Sequence, residues 1–208
     1  SLTATNDLPS VVAGIATRSG RRLDYRTIAP GGFALEDHWS SGEARSALAT
    51  GRWDAIVLQQ GPSALPESQA NLREWAIRWA AEARARGVRP ALLTVWPESY
   101  RRSALRDVIG SYRRAAAAAG AELLPGGGAW REAWSCGPVA LYGPDGFHPS
   151  LLGTYAAALV VYGRLFRAPI VGGAPPPGVR RRTARLLQWS AATSLGRPQP
   201  RSRRCGGS

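Results

Sequence analysis

The chain has 208 residues, 44% of them hydrophobic, enough for one ordinary domain with a substantial core. No apolar run approaches the roughly 20 residues a bilayer crossing needs, the best being 156–161, so no membrane span is expected. A formal charge of +13 suggests a nucleic-acid partner until it is located: the 17 arginines up to Asp145 nearly balance all 14 acidic residues, whereas the last 63 residues carry ten arginines and no acid. The charge therefore belongs to a tail, and the use of Arg throughout with no Lys reads as a composition bias and not as a phosphate-binding surface, so no nucleic acid is expected as a partner.

In chain order, 1–9 are small polar residues leading into an amphipathic helix with Pro9 in its first turn and Gly20 at its end. Asn6 and Asp7 read as helix-start residues. Residues 22–29 alternate (Leu23, Tyr25, Ile28) and predict a strand, broken by Pro30-Gly31-Gly32. A short helix over 43–49 precedes 53–58, a continuous apolar strand of the type buried on both faces. Gln59-Gln60-Gly61-Pro62-Ser63 closes it in a polar loop. Residues 68–86 carry Leu72, Trp75, Ala76, Trp79 and Ala83 at helical spacing. A strand over 90–96, a helix over 102–119, a strand over 121–124 and a helical turn or two over 129–135 follow. After a Gly/Pro-rich loop, 151–166 is a long apolar helix with Ser150 as its N-cap. Strands alternating with helices argue for an α/β protein with a parallel sheet covered on both faces, its ligands beyond the carboxyl ends of the strands.

From 167 the composition shifts. Residues 168–194 read as a Pro-rich linker and a docking helix, and 195–208 as a basic, disordered tail, leaving 1–167 as the main domain. Cys136 and Cys205 lie too far apart in unlike segments to predict a disulfide, and with two histidines and two cysteines dispersed, neither a metal nor another cofactor is expected.

The stretch 142–150 holds the chemistry. Asp145 precedes His148 by three residues on a loop tied to an apolar helix, which orients one imidazole nitrogen and leaves the other to carry a proton. A capped loop with a surface histidine explains the same residues equally well. His38 reads as a loop residue lining a cleft or capping the next helix, with a second base as the alternative. Trp39 and Trp96 fall at strand-end loops, where they would wall an acyl or sugar pocket.

Ser1-Leu2-Thr3 resembles the end of the Gly-Asp/Asn-Ser-Leu block of the SGNH (GDSL-type) hydrolases, and Asp145-Gly146-Phe147-His148 resembles their closing Asp-x-x-His block. Gly32 is placed like that family's oxyanion glycine, while Gln59-Gln60-Gly61-Pro62 stands where Gly-x-Asn-Asp is usual. The resemblance covers about 1–166 and implies a three-layer α/β/α fold with a flavodoxin-like parallel sheet. It also implies a chain truncated at the nucleophile serine, with the first, central strand absent.

For function, the resemblance implies a carboxylic ester hydrolase acting on short-chain or O-acetyl esters of a small molecule or carbohydrate. Ser1 would be the nucleophile, His148 the base and Asp145 its orienting acid. Backbone N–H groups of Ser1 and Gly32, with Gln60 or Gln59, would form the oxyanion hole. The alternative implied by the departure at the glutamines is a catalytically weak or inactive module of the same fold that binds carbohydrate or a protein partner. Neither compartment nor oligomeric state follows from these residues.

Overall fold

The computed structural model describes residues 1–197 and Cys205. In chain order its elements are α1 (Leu8–Arg18), α2 (Leu35–Ser41), α3 (Glu43–Thr50), β1 (Ala55–Leu58), α4 (Pro66–Arg84), β2 (Arg89–Leu93), a 3-10 turn (Ser99–Ala104), α5 (Leu105–Ala119), β3 (Glu122–Leu124), α6 (Gly126–Trp134), α7 (Leu151–Leu165) and α8 (Arg181–Ser194). The chain divides into two compact units. One, the sheet unit, comprises Ile28–Pro97 and Arg101–Leu124; the other, the helical unit, comprises Ser1–Thr27, Glu98–Tyr100 and Pro125–Ser208.

The sheet unit is an α/β assembly around three parallel strands in the order β1-β2-β3. Val57 sits beside Ala91 and Leu92 beside Leu123. Helix α4 forms because Leu72, Trp75, Ala76, Trp79, Ala80 and Ala83 fall on one stripe, and all six are buried. Helix α5 does the same with Val108, Tyr112, Ala115 and Ala119, and the two helices pack on one another and on the sheet. Gly120 closes α5 in the left-handed region at φ 58°, which costs glycine nothing, and lets Ala121 N–H donate to the Ala116 carbonyl at 2.9 Å. Trp79 Nε1 donates to the Leu35 carbonyl at 2.9 Å, tying α4 to the start of α2.

Tyr112 holds the loop after β1. Its hydroxyl donates to the Gln60 carbonyl (2.6 Å), lies 3.1 Å from the Gly61 carbonyl, and accepts from Gln60 N–H (3.3 Å). Burial raises its pKa well above the ordinary phenol value, against the opposing pull of the Gln60 bond, so it stays a neutral donor. Tyr112→Phe leaves these backbone groups without that partner. It should cost about 1–3 kcal/mol in urea denaturation, with an unchanged slope if the fold persists.

The helical unit is built on α7. Its residues from Gly153 to Gly163 are all buried, as expected of a helix apolar on every side, and α1, α6 and α8 pack around it. Gln188 of α8 donates to the Tyr155 hydroxyl at 3.0 Å and to the Gly173 carbonyl at 2.8 Å, so its buried amide is satisfied. Among the described residues, no helix is long and apolar enough to cross a membrane.

The structure departs from four expectations. Residues 22–29 form no strand: alternation alone does not supply a neighbour for the backbone donors and acceptors, and Arg22, Asp24 and Tyr25 face solvent, Arg22 paired with Asp24 at 3.0 Å. Strand β1 is not buried on both faces, since Val57 is 38% exposed and β2 is the strand it pairs with. His38 and Trp39, expected in a loop, lie in the helix Leu35–Ser41, with Asp37 accepting from Ala34 N–H at 2.8 Å. Cys136 and Cys205 are joined in a disulfide across 69 positions, a pairing that local spacing does not reveal. The rest of the expected tail beyond Arg197 lies outside the described residues.

Candidate active site

The Asp145–His148 loop is fixed at both ends before its side chains meet. Tyr142 and Pro149 form an antiparallel bridge, Gly143 N–H donates to the His148 carbonyl at 2.7 Å, and Ser150 N–H donates to the Leu141 carbonyl at 2.8 Å. Ser150 caps α7, as its sequence position predicts: its hydroxyl accepts from Gly153 N–H at 3.2 Å and donates to the Ala140 carbonyl at 2.7 Å. At the loop tip Gly146 is left-handed (φ 69°), and its carbonyl accepts from Ser99 N–H at 2.7 Å. A methyl group there would fall 2.5 Å from Ser99 Oγ, so glycine meets both the conformational and the steric demand.

Within that frame Asp145 is held by three contacts. Oδ1 accepts from the N–H groups of Phe147 (3.0 Å) and His148 (2.9 Å), which leaves Oδ2 to face His148 Nδ1 at 2.6 Å. The His148 ring is set edge-on to Phe147, 5.2 Å between centroids. The bond to His148, then that from Phe147, pulls the Asp145 carboxyl down to about 2. A carboxylate of this kind keeps its charge wherever an imidazole titrates.

A depressed folded-state value adds stability at pH above the ordinary carboxyl value near 3.9, and that increment disappears as pH falls toward about 2. A carbon-detected NMR titration should place the Asp145 midpoint near 2. A midpoint in the ordinary aspartate range would mean that the pair does not persist in solution.

Ser1 is exposed, at the start of a turn in which Thr5 donates twice to its carbonyl, from N–H (2.9 Å) and hydroxyl (3.1 Å). Leu2 anchors the turn at 3% exposure. Asp7 caps α1 through Ser10 N–H (3.3 Å), in keeping with a helix-start role. Asn6 does something else. Its Nδ2 donates to the Pro149 carbonyl at 2.8 Å and lies 3.0 Å from Thr154 Oγ1. The turn that carries Ser1 is therefore bonded to the residue immediately after His148. Sequence reasoning missed this, and its one local hint was that asparagine tolerates the left-handed φ of 57° found there.

The other expected site residues belong to the sheet unit. Gly32 lies in the turn before α2 at φ 78°, with open space on the side where a Cβ would project. Gln60 is 4% exposed and its carboxamide is fully engaged: Oε1 accepts from Leu35 N–H (3.2 Å), and Nε2 reaches Ser63 Oγ (3.1 Å) and Asn71 Oδ1 (3.5 Å). Gln59 is half-buried, its Nε2 donating to the Gln60 carbonyl at 2.7 Å. His38 lies inside α2, not in a loop, against Phe33 at 5.3 Å, and burial lowers its pKa. Neither expected wall residue is a free platform: Trp96 is 1% exposed, and Trp39 packs on Trp75 and Trp79. No group of three metal-binding side chains converges among the described residues.

No family model matches the sequence, and no curated protein matches it. Solved structures do. A DUF4886 family protein from Bacteroides uniformis superposes with a TM-score of 0.78 over 92% of this chain and 90% of its own, at 17% identity. A protein from Slackia heliotrinireducens, proposed to be an SGNH hydrolase, superposes with a TM-score of 0.67 over 79% of this chain and 94% of its own, at 26% identity. The fold is SGNH-like. That likeness is to a hydrolase-type scaffold, and scaffolds of this kind do not by themselves specify a reaction.

Proposed function

We propose that the chain is a serine hydrolase of acyl esters, short-chain or O-acetyl, carried on a small molecule or a carbohydrate. The observation that carries the reading is the 2.6 Å contact between Asp145 Oδ2 and His148 Nδ1, with the carboxylate locked by two backbone donors. Support comes from the structural neighbour proposed to be an SGNH hydrolase. Support also comes from the bonds that join the Ser1 turn to the His148 loop.

In this reading Ser1 Oγ attacks the ester carbonyl as His148 Nε2 takes its proton. The imidazolium is stabilised through Nδ1 by Asp145 and then returns the proton to the leaving alcohol oxygen. The acyl-serine is released by water through the same base in reverse order. Gly32, the Ser1 backbone and one glutamine of the pair Gln59–Gln60 enter as oxyanion donors through the family resemblance.

A serine-directed fluorophosphonate tests the reading: it should label the protein at Ser1, and His148→Ala should abolish labelling. A non-catalytic binder of carbohydrate or a protein partner is the second reading. It is favoured by one observation, the engagement of the Gln60 carboxamide by Leu35, Ser63 and Asn71, which leaves that amide occupied as an oxyanion donor. A folded wild-type chain that resists labelling would select it.

A further inference from the structure

We propose that Asn6 is a positioning residue that registers the Ser1 turn against the loop carrying His148, an inference that rests on the hydrolase reading. The carboxamide nitrogen has two hydrogens, and two oxygens lie within reach of it: the Pro149 carbonyl at 2.8 Å and the Thr154 hydroxyl at 3.0 Å. Pro149 is bonded covalently to His148. Thr154 is fully buried in the first turn of α7, the helix that anchors the loop. One side chain thus holds the loop just beyond the base and the helix behind it.

At its other end Asn6 follows Thr5, whose N–H and hydroxyl both bond the Ser1 carbonyl. The path from nucleophile to base therefore runs Ser1 carbonyl, Thr5, Asn6 amide, Pro149, His148, spanning most of the sequence but few bonds. Helix capping does not account for Asn6, because Asp7 performs it through Ser10. The backbone at Asn6 is left-handed, a conformation that asparagine and glycine adopt more readily than other residues. Nucleophile and base act only at near-attack separation, so a shift of about 1 Å between their segments costs on the order of 100-fold.

The test uses the full chain and two kinds of variant. Asn6→Gly retains the left-handed backbone and removes the amide. Asn6→Asp keeps the shape and, as a carboxylate, offers no donor to either oxygen. Two readouts are taken: kcat and KM on an aryl acetate with the rate of fluorophosphonate labelling at Ser1, and hydrogen exchange at the Gly143 and Ser150 amides, which needs no turnover.

Both variants should lower kcat and the labelling rate about 10- to 100-fold, with KM within about twofold and faster exchange in the loop. Thr154→Val, which removes one acceptor, should give a smaller loss in the same direction. Unchanged kcat and labelling in Asn6→Gly, beside a labelled wild type, would overturn the positioning role and leave the hydrolase reading standing. A wild type that is never labelled at Ser1 would remove the hydrolase reading and the positioning role together, and the wild-type control alone tells these failures apart.

Discussion

Ser1→Ala and His148→Ala should each lower ester hydrolysis by about 10,000-fold or more, and the double variant should be little worse than either. Under the proposed mechanism nucleophile and base act as one unit: without His148 the serine hydroxyl would keep its proton, and without Ser1 the imidazole would have nothing to activate. Asp145→Asn should cost less, about 100-fold. Its side chain is 52% exposed, so water can replace part of its support of the imidazolium. The amide also changes the partner at Nδ1 from a pure acceptor to a group with both donor and acceptor faces, which favours the wrong tautomer. A steady-state assay on an aryl acetate, with circular dichroism to confirm folding, checks all three. A double variant whose loss equals the product of the single losses would mean that Ser1 and His148 act independently, and the triad reading would not survive it.

What could be read from residue order follows a physical division. Helices α4 and α5 were legible because their hydrogen bonds are local and their buried stripes repeat every three to four residues, and α7 because its apolar run is too long for a strand and starts at a capping serine. The Asp145–His148 pair was legible for the same reason, since its three bonds close within three residues. The 22–29 stretch misled because a strand exists only where a second chain segment satisfies its backbone, and alternation says nothing about that neighbour. Gln60 was opaque: its partners Leu35, Asn71 and Tyr112 stand 11 to 52 positions away, so its role depends on the finished fold. Asn6 was hidden in the same way, its amide closing contacts 143 and 148 positions distant. Local chemistry announces a candidate base; the contacts that would position a nucleophile against it are long-range and emerge only in three dimensions.

Gly153→Ala should be the most damaging small substitution in the helical unit, lowering stability by about 3 kcal/mol or more. The added methyl would run into the Leu141 carbonyl and the Trp130 ring. Neither can retreat: Trp130 is fully buried with its Nε1 donating to the Gly153 carbonyl at 3.1 Å, and Leu141 is held by the bond from Ser150 N–H to its carbonyl. The glycine is therefore required by close approach and not by its backbone angle, since its φ is ordinary helical. Because Leu141 and Ser150 close the base of the His148 loop, the strain should reach that loop as well. Urea denaturation should show the lower midpoint, and exchange at the Gly143 and Ser150 amides should rise more than at amides of α4, which lies in the other unit. A variant as stable as wild type would mean that α7 can slide away from Trp130, and the loop would then have to be held by its own turn and the Ser150 cap.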